Sequence, residues 1–383
     1  MDREVPQAQF CGGDFSGGKM PDMIALLGRR DEPTDGVADY SELLSRALSK
    51  RGIEVQAARV PWDKIGWSRA LWHLFRESAA WRGKWVVLQY TAMGWSRRGF
   101  PIGALVSVAI VKLRGARCAT VFHEPSGTSG PRVIDRIRGA FQDWTVRNLH
   151  RLSRKGVFTV PLSSVSWLSD VPGRAAFIPL APNIPENLTP RTATSIQSES
   201  RKTVVVFCVS EPPHQQREIS EIAHAARVAS VAGIRLRVVF VGRGTSEARA
   251  EIDRAFSGTQ IEICNRGVCE RAEVTRIFCE SDVMLAVRGR LYLRRGSALA
   301  GLACGLPIIG YAGASKGTVI EEAGIALVPF SDKEALGAAL CKILTNPELW
   351  QEMHEMNRRV QRDYLSWDAT GATYAEFFAG KSD

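Results

Sequence analysis

The segment from Arg294 to Tyr311, RRGSALAGLACGLPIIGY, brings two arginines to the start of a short helix of small residues. Backbone N–H groups at such a start, together with the positive end of the helix dipole, attract an anion. Arg294 and Arg295 can hold a phosphate through paired hydrogen bonds, with Gly296 and Ser297 at the helix start itself. The alternative is a tightly packed helix whose N-terminal end is flanked by two solvated arginines. We favour the phosphate site, because an alternation of strand and helix patterns restarts just before this segment.

His123 follows an apolar run, Cys118 to Phe122, that reads as a buried strand. A histidine at the carboxyl end of a strand can donate a hydrogen bond to a hydroxyl or to charge that develops during a reaction. The alternative is a loop histidine bonded to a neighbouring backbone carbonyl, and position alone does not decide between them. Glu124 is the next catalytic candidate, with a solvent-facing carboxylate as its alternative.

Four further residues stand near the ends of predicted strands or at the start of a predicted helix. Gly36 can let a phosphate or an acceptor approach the backbone closely, although a plain turn glycine is the alternative. Asp39, Tyr90 and Arg98 are assigned to the side of the site that would hold an acceptor. For Arg98 a solvated surface position competes with a specific contact.

A metal site is not expected, because no Asp-x-Asp pair occurs at a strand end and no histidine–carboxylate cluster has ligand spacing. The eight cysteines form no C-x-x-C pair. Several lie in apolar runs, which indicates small core residues in a reducing compartment.

The chain alternates apolar strand patterns with helical ones in two stretches separated by a polar segment. The strand patterns cover 23–28, 53–57, 85–89, 118–122, 157–160 and 176–178, and then 203–209, 236–241, 261–264, 283–286 and 307–311. Between Pro179 and Arg201 the composition shifts to Pro, Asn, Thr and Ser, which is typical of a linker. Continuous apolar strands followed by helices predict two α/β halves with parallel sheets.

Several of these motifs together resemble the GT-B glycosyltransferases of family four. The small-residue helix that runs into Gly305-Leu-Pro307 is similar to their donor-binding element, and the loop from Asp35 to Tyr40 is similar to their first glycine-bearing loop. His123-Glu-Pro resembles their histidine-bearing loop, and the segment from Ile178 to Asn183 resembles their interdomain segment. The resemblance covers nearly the whole chain from Met23 onward.

The resemblance implies an α/β fold of GT-B architecture, with two Rossmann-like domains facing across a cleft. The expected divisions are a disordered arm (1–19), an N-terminal acceptor-side domain (20–182), a linker (183–201), a C-terminal nucleotide-sugar domain (202–346) and C-terminal helices that pack back toward the N-terminal domain (347–383). Gly267 and Val268 lie where the family contacts the nucleotide base through its backbone, and they are assigned to the donor site.

The sequence departs from the family at two points. The family often carries a Glu-x(7)-Glu pair before Gly-x-Pro, but counting back from Gly305 gives Ala300 and Tyr292. The family's carboxylate contacts to the donor therefore cannot be carried over. After the 203–209 strand the family often places an Arg and a Lys for the pyrophosphate, and here Arg217 is the substitute candidate.

The resulting hypothesis is a hexosyltransferase-like enzyme that moves a sugar from a UDP- or GDP-sugar to a glycan or lipid-linked acceptor. The resemblance implies retention of anomeric configuration, and a metal-independent mechanism with no required cofactor fits the missing metal ligands. A non-catalytic nucleotide-sugar-binding or partner protein is the alternative that the missing glutamates suggest. A nucleotide-sugar epimerase of the same fold is another. Nucleic acid is not expected as a partner, because no recognised module for it is present.

The formal net charge of +10 calls for an anionic partner, and two basic stretches rich in aromatic residues suggest an anionic membrane surface. For the first stretch, 62–85, we favour contact with a membrane over a role as buried aromatic core. For the second, 131–155, membrane contact and a buried core with a solvated basic face remain equally open. No apolar run is long enough to span a bilayer, and the N-terminus lacks the apolar centre of a signal peptide. The expected location is the cytoplasm, with peripheral contact at the inner membrane face.

Overall fold

The computed structural model describes residues 22–32, 35–128, 130, 132–168, 173–183, 200–291, 296–313 and 322–380, with the side chains of residues 296 and 297 left out. The described chain belongs to two compact units. One comprises residues up to Pro179 together with those from Thr370 onward, and the other comprises Leu180–Ala369. The predicted arm and most of the predicted linker lie outside the described residues.

The first unit is built around a six-stranded, entirely parallel sheet in the order β2-β1-β3-β4-β5-β6. Its elements, apart from short 3₁₀ turns, are β1 (Met23–Leu27), α1 (Gly36–Ser49), β2 (Val55–Arg59), α2 (Trp62–Ile65), α3 (Trp67–Glu77), β3 (Trp85–Tyr90), α4 (Ile102–Leu113), β4 (Arg117–Phe122), α5 (Val133–Leu152), β5 (Lys155–Phe158) and β6 (Ala175–Phe177).

The apolar runs form central strands because both faces of a parallel sheet are covered. All five residues of β1 are buried, and it pairs with β2 on one side and β3 on the other. The core joins strand residues such as Ile24 and Leu88 to helix residues such as Leu74, Val108 and Val146.

Two strand boundaries differ from the sequence prediction for identifiable reasons. The second strand begins at Val55 rather than at Ile53, because the amide of Ile53 still donates to Leu48 O at the end of α1 (3.1 Å), after Gly52 with its positive φ of 76°. β5 begins at Lys155, a buried lysine whose ammonium donates to the carbonyl oxygens of Gly380 (2.9 Å) and Phe377. A buried lysine in a strand has no sequence signature, because its acceptors lie more than 200 residues away in the chain.

The second unit also contains a six-stranded parallel sheet, in the order β12-β11-β10-β7-β8-β9. Its elements are β7 (Lys202–Phe207), α6 (His214–Val231), β8 (Leu236–Val241), α7 (Arg249–Ala255), β9 (Glu262–Gly267), α8 (Arg271–Glu280), β10 (Val283–Arg290), α9 (Gly296–Ala303), β11 (Ile308–Tyr311), β12 (Ile325–Val328), α10 (Lys333–Thr345) and α11 (Pro347–Val360), which continues into a π-helical turn (Gln361–Leu365). β12 and α10 were not among the sequence expectations.

The last helix, α12 (Trp367–Ala379), joins the first unit from Thr370 onward. Its Tyr374 hydroxyl lies 2.9 Å from the hydroxyl of Tyr40 on α1, and Phe378 packs edge-on against Trp85. By contrast, α11 belongs to the second unit, where the indole of Trp350 donates to Asp282 O (2.7 Å). The C-terminal segment is therefore divided between the two units.

Candidate functional site

His123 lies at the carboxyl end of β4, where its imidazole contacts two neutral side chains, Gln89 and Tyr40. Its Nε2 lies 2.9 Å from Oε1 of Gln89, the penultimate residue of β3, and the ring of Tyr40 packs edge-on against it at 5.1 Å. Burial lowers the pKa of His123 to about 4, because the protonated ring would lose its hydration. His123 is therefore neutral near pH 7 and can act as a hydrogen-bonding group rather than as a cation.

Two buried polar atoms at the end of β3 have no hydrogen-bond partner within the described part of the chain, Nε2 of Gln89 and the hydroxyl of Tyr90. Buried polar groups are nearly always satisfied, so such an atom indicates a place for a water molecule or a ligand group. Gln89 shares a hydrogen bond with His123, which places one of these atoms beside the predicted catalytic residue.

Tyr90, predicted on the acceptor side, is only 1% exposed and packs near Phe122. Burial first, and then the nearby carboxylates of Glu124 and Asp143, raise the pKa of Tyr90, which keeps its hydroxyl protonated. Tyr90 thus lies within the core of the first unit rather than on its surface, because helices cover both faces of the parallel sheet.

Glu124 is fixed by the backbone of the loop that follows β3. Its Oε2 accepts a hydrogen bond from the amide of Ala92 (2.9 Å). The carboxylate therefore holds the loop after β3 against the loop after β4.

The start of α1 contains Gly36, but a carboxylate already occupies the end of this helix. Asp35 is the N-cap: its Oδ1 accepts from the amide of Ala38 (3.0 Å), and its Oδ2 pairs with Arg59 on β2 (3.0 Å). A phosphate at Gly36 would meet this negative charge, so the helix start suits a hydroxyl better than a phosphate. Asp39, one turn into the helix, is half-buried at the same end of the sheet.

Arg98, the third residue predicted on the acceptor side, is exposed in the loop after β3. Its amide donates to Ser96 Oγ (3.2 Å), and its carbonyl accepts from Nε of Arg138 on α5 (2.9 Å). The loop is thus anchored through backbone atoms, which leaves the guanidinium at the surface.

In the second unit, the backbones at the carboxyl ends of β7, β8 and β9 lie in direct contact. A Cβ at Gly244 would stand 2.2 Å from Val209 O, and one at Gly242 would stand 2.7 Å from Cys208 Sγ. The amide of Gly242 donates to Gly267 O (2.6 Å). Glycine is required at these positions because any side chain would push the three loops apart.

Gly267, predicted at the donor site, has a φ of 63°, and a Cβ there would lie 2.6 Å from Ser246 Oγ. Val268, which follows it, is half-exposed. Gly267 itself is buried, so contacts within the protein fix the geometry of this segment, and the chain reaches the surface at Val268.

Three arginines not singled out from the sequence lie at the same edge. Arg288 on β10 hydrogen-bonds the thiol of Cys208 and partly offsets the burial that raises the pKa of that thiol, with Arg243 also nearby. Arg290 donates to Ala312 O (2.8 Å) and lies over the ring of Phe330. The sequence reading ended this strand at residue 286, whereas β10 runs to Arg290, so both of its arginines reach the carboxyl end.

Arg217 on α6, the predicted pyrophosphate ligand, is already paired within the protein. Its guanidinium contacts Glu221 (3.2 Å) and Glu218 (3.5 Å), and it donates to Ser331 Oγ (3.1 Å). Glu221 also accepts from the Tyr311 hydroxyl (2.6 Å) and from Ser331 (2.6 Å). The positive charge of Arg217 is thereby neutralised by two buried carboxylates.

The buried glutamates of this network were missed, because residues three apart on a helix read as a solvated face. Glu218 is 1% exposed, and its Oε2 accepts from the amide of Ser210 (2.9 Å), which fixes the loop after β7. Glu221 joins α6 to β11 and to the segment after β12.

The predicted phosphate-binding helix is α9, whose backbone begins at Gly296 after β10. Arg294 and Arg295 lie outside the described residues, as does the side chain of Ser297. From Ala298 to its end at Ala303 the helix is buried, and it is followed by Gly305, which has a φ of 69° and whose carbonyl oxygen lies 2.7 Å from Nδ1 of His354. In a βα unit the helix start stands near the carboxyl end of the preceding strand, so α9 begins at the edge that carries Arg288 and Arg290.

Within the described residues, no group of three or more His, Cys, Asp or Glu side chains is arranged to hold a metal ion. In the same part of the chain no helix is both long and apolar enough to cross a lipid bilayer.

No protein-family model matches the sequence, and no curated protein matches it either. Solved structures do resemble it. A glycosyltransferase from Rickettsia africae is 12% identical, with a TM-score of 0.64 over 94% of this chain and 98% of that one. HepE from Anabaena, in complex with UDP, is 11% identical, with a TM-score of 0.62 over 94% of this chain and 100% of that one.

A third similar structure, from Listeria monocytogenes, is of a protein proposed to be a UDP-N-acetylglucosamine 2-epimerase. It is 9% identical, with a TM-score of 0.57 over 96% of this chain and 99% of that one. Likeness at such low identity concerns the fold, and it extends over nearly the whole length of each chain. The predicted fold class is confirmed: the chain is an α/β protein of GT-B architecture with two Rossmann-like parallel sheets.

Proposed function

We propose that this protein is a glycosyltransferase that moves a sugar from a UDP- or GDP-sugar to a glycan or lipid-linked acceptor, with retention and without a metal ion. The observation that carries the proposal is the carboxyl edge of the second sheet, where glycine backbones and arginines lie together at the topological switch between β7 and β10. Ligands of open α/β sheets bind at such a point.

The second sheet offers what a nucleoside diphosphate needs. Gly242, Gly244 and Gly267 fix the loops at this edge through close contacts within the protein, and Arg243 and Arg288 supply positive charge. The start of α9 would add backbone N–H groups, and Arg294 and Arg295 remain proposed phosphate ligands. Fixed cations and N–H groups stabilise a departing diphosphate in the way that a divalent ion does elsewhere.

In the first unit, His123 is proposed to hydrogen-bond a hydroxyl of the reacting sugar. A neutral imidazole suits this role, because it can donate or accept without placing a positive charge beside the forming oxocarbenium-like centre. The amide nitrogen Nε2 of Gln89, which has no hydrogen-bond partner among the described residues, would supply a second donor next to His123. Glu124 acts as a positioning residue in this scheme, because its carboxylate is engaged by Ala92.

The similar structures support the substrate class. One is named a glycosyltransferase, and another holds UDP. The Listeria protein instead favours a second candidate, a nucleotide-sugar epimerase. The Glu-x(7)-Glu pair is absent, with Tyr292 and Ala300 in its place. A non-catalytic nucleotide-sugar-binding protein is therefore the third candidate function.

The first experiment is thermal unfolding with a panel of nucleoside diphosphates and nucleotide sugars, on wild type and on Arg288→Ala and Arg295→Ala. A ligand that binds only the native state at a hundred times its dissociation constant adds about 2.7 kcal/mol of stability. One nucleotide family should raise the melting temperature, and both substitutions should reduce that shift. Arg249→Ala, an exposed arginine on α7 of the same unit, is the matched control. If no nucleotide stabilises the protein at millimolar concentration, the donor site is wrong.

Product analysis then separates the candidates. A transferase consumes the acceptor and keeps the anomeric configuration of the donor, and its turnover persists in EDTA. An epimerase returns an altered nucleotide sugar with no acceptor consumed. Nucleotide binding with neither product would support the binding-protein alternative.

A further inference from the structure

Three neighbouring helices of the first unit, α3, α4 and α5, lie side by side and share one helix layer. Their inner sides enter the core through residues such as Leu74, Val108 and Val146. Their outer sides carry nine of the fifteen exposed large hydrophobic side chains among the described residues: Trp72, Phe75, Ile102, Val106, Leu113, Val133, Ile134, Ile137 and Trp144. We call this surface the α3–α5 face.

The spacing of these residues places them in stripes rather than at random. On α4, Ile102, Val106 and Leu113 are four and seven residues apart, which is one side of a helix. On α5, Val133, Ile137 and Trp144 repeat the same spacing. Because the helices are neighbours in one layer, their outward stripes combine into one apolar surface.

The same face is positively charged. Arg132, Arg136, Arg147 and Arg151 are exposed at the start of α5 or along it, and within the described part of the chain none of them forms an ion pair. Arg76 lies over the ring of Trp72 at 4.7 Å. Arginines beside exposed aromatic rings are the combination that contacts lipid headgroups and the upper acyl region together.

Acidic side chains do little to offset this charge. The three helices contain seven Arg or Lys residues against three acidic ones, Glu77, Asp135 and Asp143. Asp135 is paired with Arg138 (2.9 Å), and Asp143 accepts from the amide of Gly127 (2.7 Å). The face therefore presents cations and apolar groups to a partner that must be both anionic and apolar.

The structure also corrects the sequence interpretation of the two aromatic stretches. Trp62 and Trp81 are core residues, Trp67 stacks on Trp62, and Trp85 packs against Phe378, so most of the first stretch is core. Only Trp72 and Phe75 of that stretch are exposed large aromatics. The second stretch, which the sequence left open, supplies four of the nine exposed apolar residues of the face, against two from the first.

We propose that the α3–α5 face binds the surface of an anionic lipid bilayer. The proposal does not depend on sugar transfer, because it rests on exposure and charge alone. If both proposals hold, the bound protein would work beside a lipid-linked acceptor.

The test is co-sedimentation of the full chain with phosphatidylcholine vesicles, with and without phosphatidylglycerol, at low and high salt. Wild type should bind only the vesicles that contain phosphatidylglycerol, and more weakly at high salt. Arg136→Gln with Arg147→Gln should weaken binding about fivefold per arginine removed. Trp72→Ser with Trp144→Ser should weaken vesicle binding about tenfold or more, since both substitutions remove an indole ring that would be buried at the boundary between headgroups and acyl chains.

Two controls match these variants on the second unit. Arg249→Gln with Arg254→Gln removes two exposed arginines of α7, and Val231→Ser removes an exposed apolar residue of α6 that is 89% accessible. Neither should change binding, and unchanged melting temperatures establish that all variants are folded. Absence of binding to phosphatidylglycerol vesicles at low salt, or equal loss in the controls, overturns the proposal. Self-association that the tryptophan pair abolishes, without vesicle binding, would assign the face to a second copy of the chain instead.

Discussion

The surroundings of His123 at the end of β4 and those of Arg217 near the end of β7 satisfy their polar side chains in different ways, although the Asp35–Arg59 ion pair lies elsewhere at the first sheet's carboxyl edge. In the first unit, His123, Gln89, Tyr40 and Tyr374 are joined by neutral hydrogen bonds and ring contacts, and burial holds the imidazole uncharged. In the second, Arg217 is balanced by Glu218 and Glu221, and further arginines surround the end of β7. A neutral edge suits hydroxyl groups and an ionic edge suits phosphates, which agrees with the proposed division of acceptor and donor.

The ionic network should produce the largest loss of stability when it is broken. Glu221→Ala leaves Arg217 without its closest carboxylate, and it removes the acceptor of the Tyr311 and Ser331 hydroxyls. We expect a loss of about 2 to 3 kcal/mol in the free energy of unfolding, because the Tyr311 and Ser331 hydroxyls lose their charged acceptor while Glu218 still pairs with Arg217. Urea denaturation of the variant and of the wild type measures it.

Asp253→Ala is the control for this change, because Asp253 pairs with Arg249 across 3.8 Å at an exposed surface of the same unit. It should cost about 0.5 kcal/mol or less. Equal effects of the two substitutions would show that the Glu221 network is solvated, and the contrast between the two edges would then fail.

The uncharged state of the buried His123 imidazole should make the free energy of unfolding depend on pH. Burial lowers the pKa of His123 to about 4, below the ordinary value of 6.5, so the unfolded chain binds more protons than the folded one between these values. Stability must then fall as the pH is lowered through that window, by about 1 to 2 kcal/mol between pH 7 and pH 5 for this residue.

Denaturation series at several pH values, on wild type and on His123→Gln, measure this effect. The variant should lose part of the dependence, and His214→Gln at the exposed start of α6 should keep all of it. An unchanged slope in His123→Gln would mean that the imidazole is protonated as readily in the folded protein as in the unfolded chain.

Most of the fold could be predicted because it depends on local patterns. Short apolar runs such as Met23–Leu27, and Leu236–Val241 with Arg237 as its one charged residue, favour buried strands of a covered parallel sheet, and both were found. Boundaries failed where a distant contact decided them. Lys155 enters β5 because carbonyls at the end of the last helix accept its ammonium, and β12, which was not predicted, is an edge strand in which only Val328 is fully buried.

The candidate site was less predictable because its key residues are defined by partners far away in sequence. Tyr90 was assigned to an acceptor from its place at the end of a strand, and the covered sheet buries its side chain in the core. Glu221 meets Tyr311 ninety residues later, and Arg288 meets Cys208 across the switch point. A helix period or a strand pattern contains no information about such pairs.

The smallest expected effect concerns Glu124, which the sequence assigned to catalysis and the structure ties to Ala92. Glu124→Gln keeps an oxygen for the Ala92 amide, so stability should change by less than about 0.5 kcal/mol. Glu124→Ala leaves that amide without its acceptor and should cost about 1 kcal/mol.

The rates of sugar transfer by the two Glu124 variants show whether this carboxylate only holds the loop or also transfers a proton. If the carboxylate only holds the loop, Glu124→Gln keeps nearly all sugar transfer while Glu124→Ala loses part of it. A proton-transferring carboxylate would instead make Glu124→Gln at least about a hundredfold slower without any loss of stability. That second outcome would show that Glu124 takes part in the chemistry beside His123, so the mildest substitution decides whether neutral groups alone act at this edge.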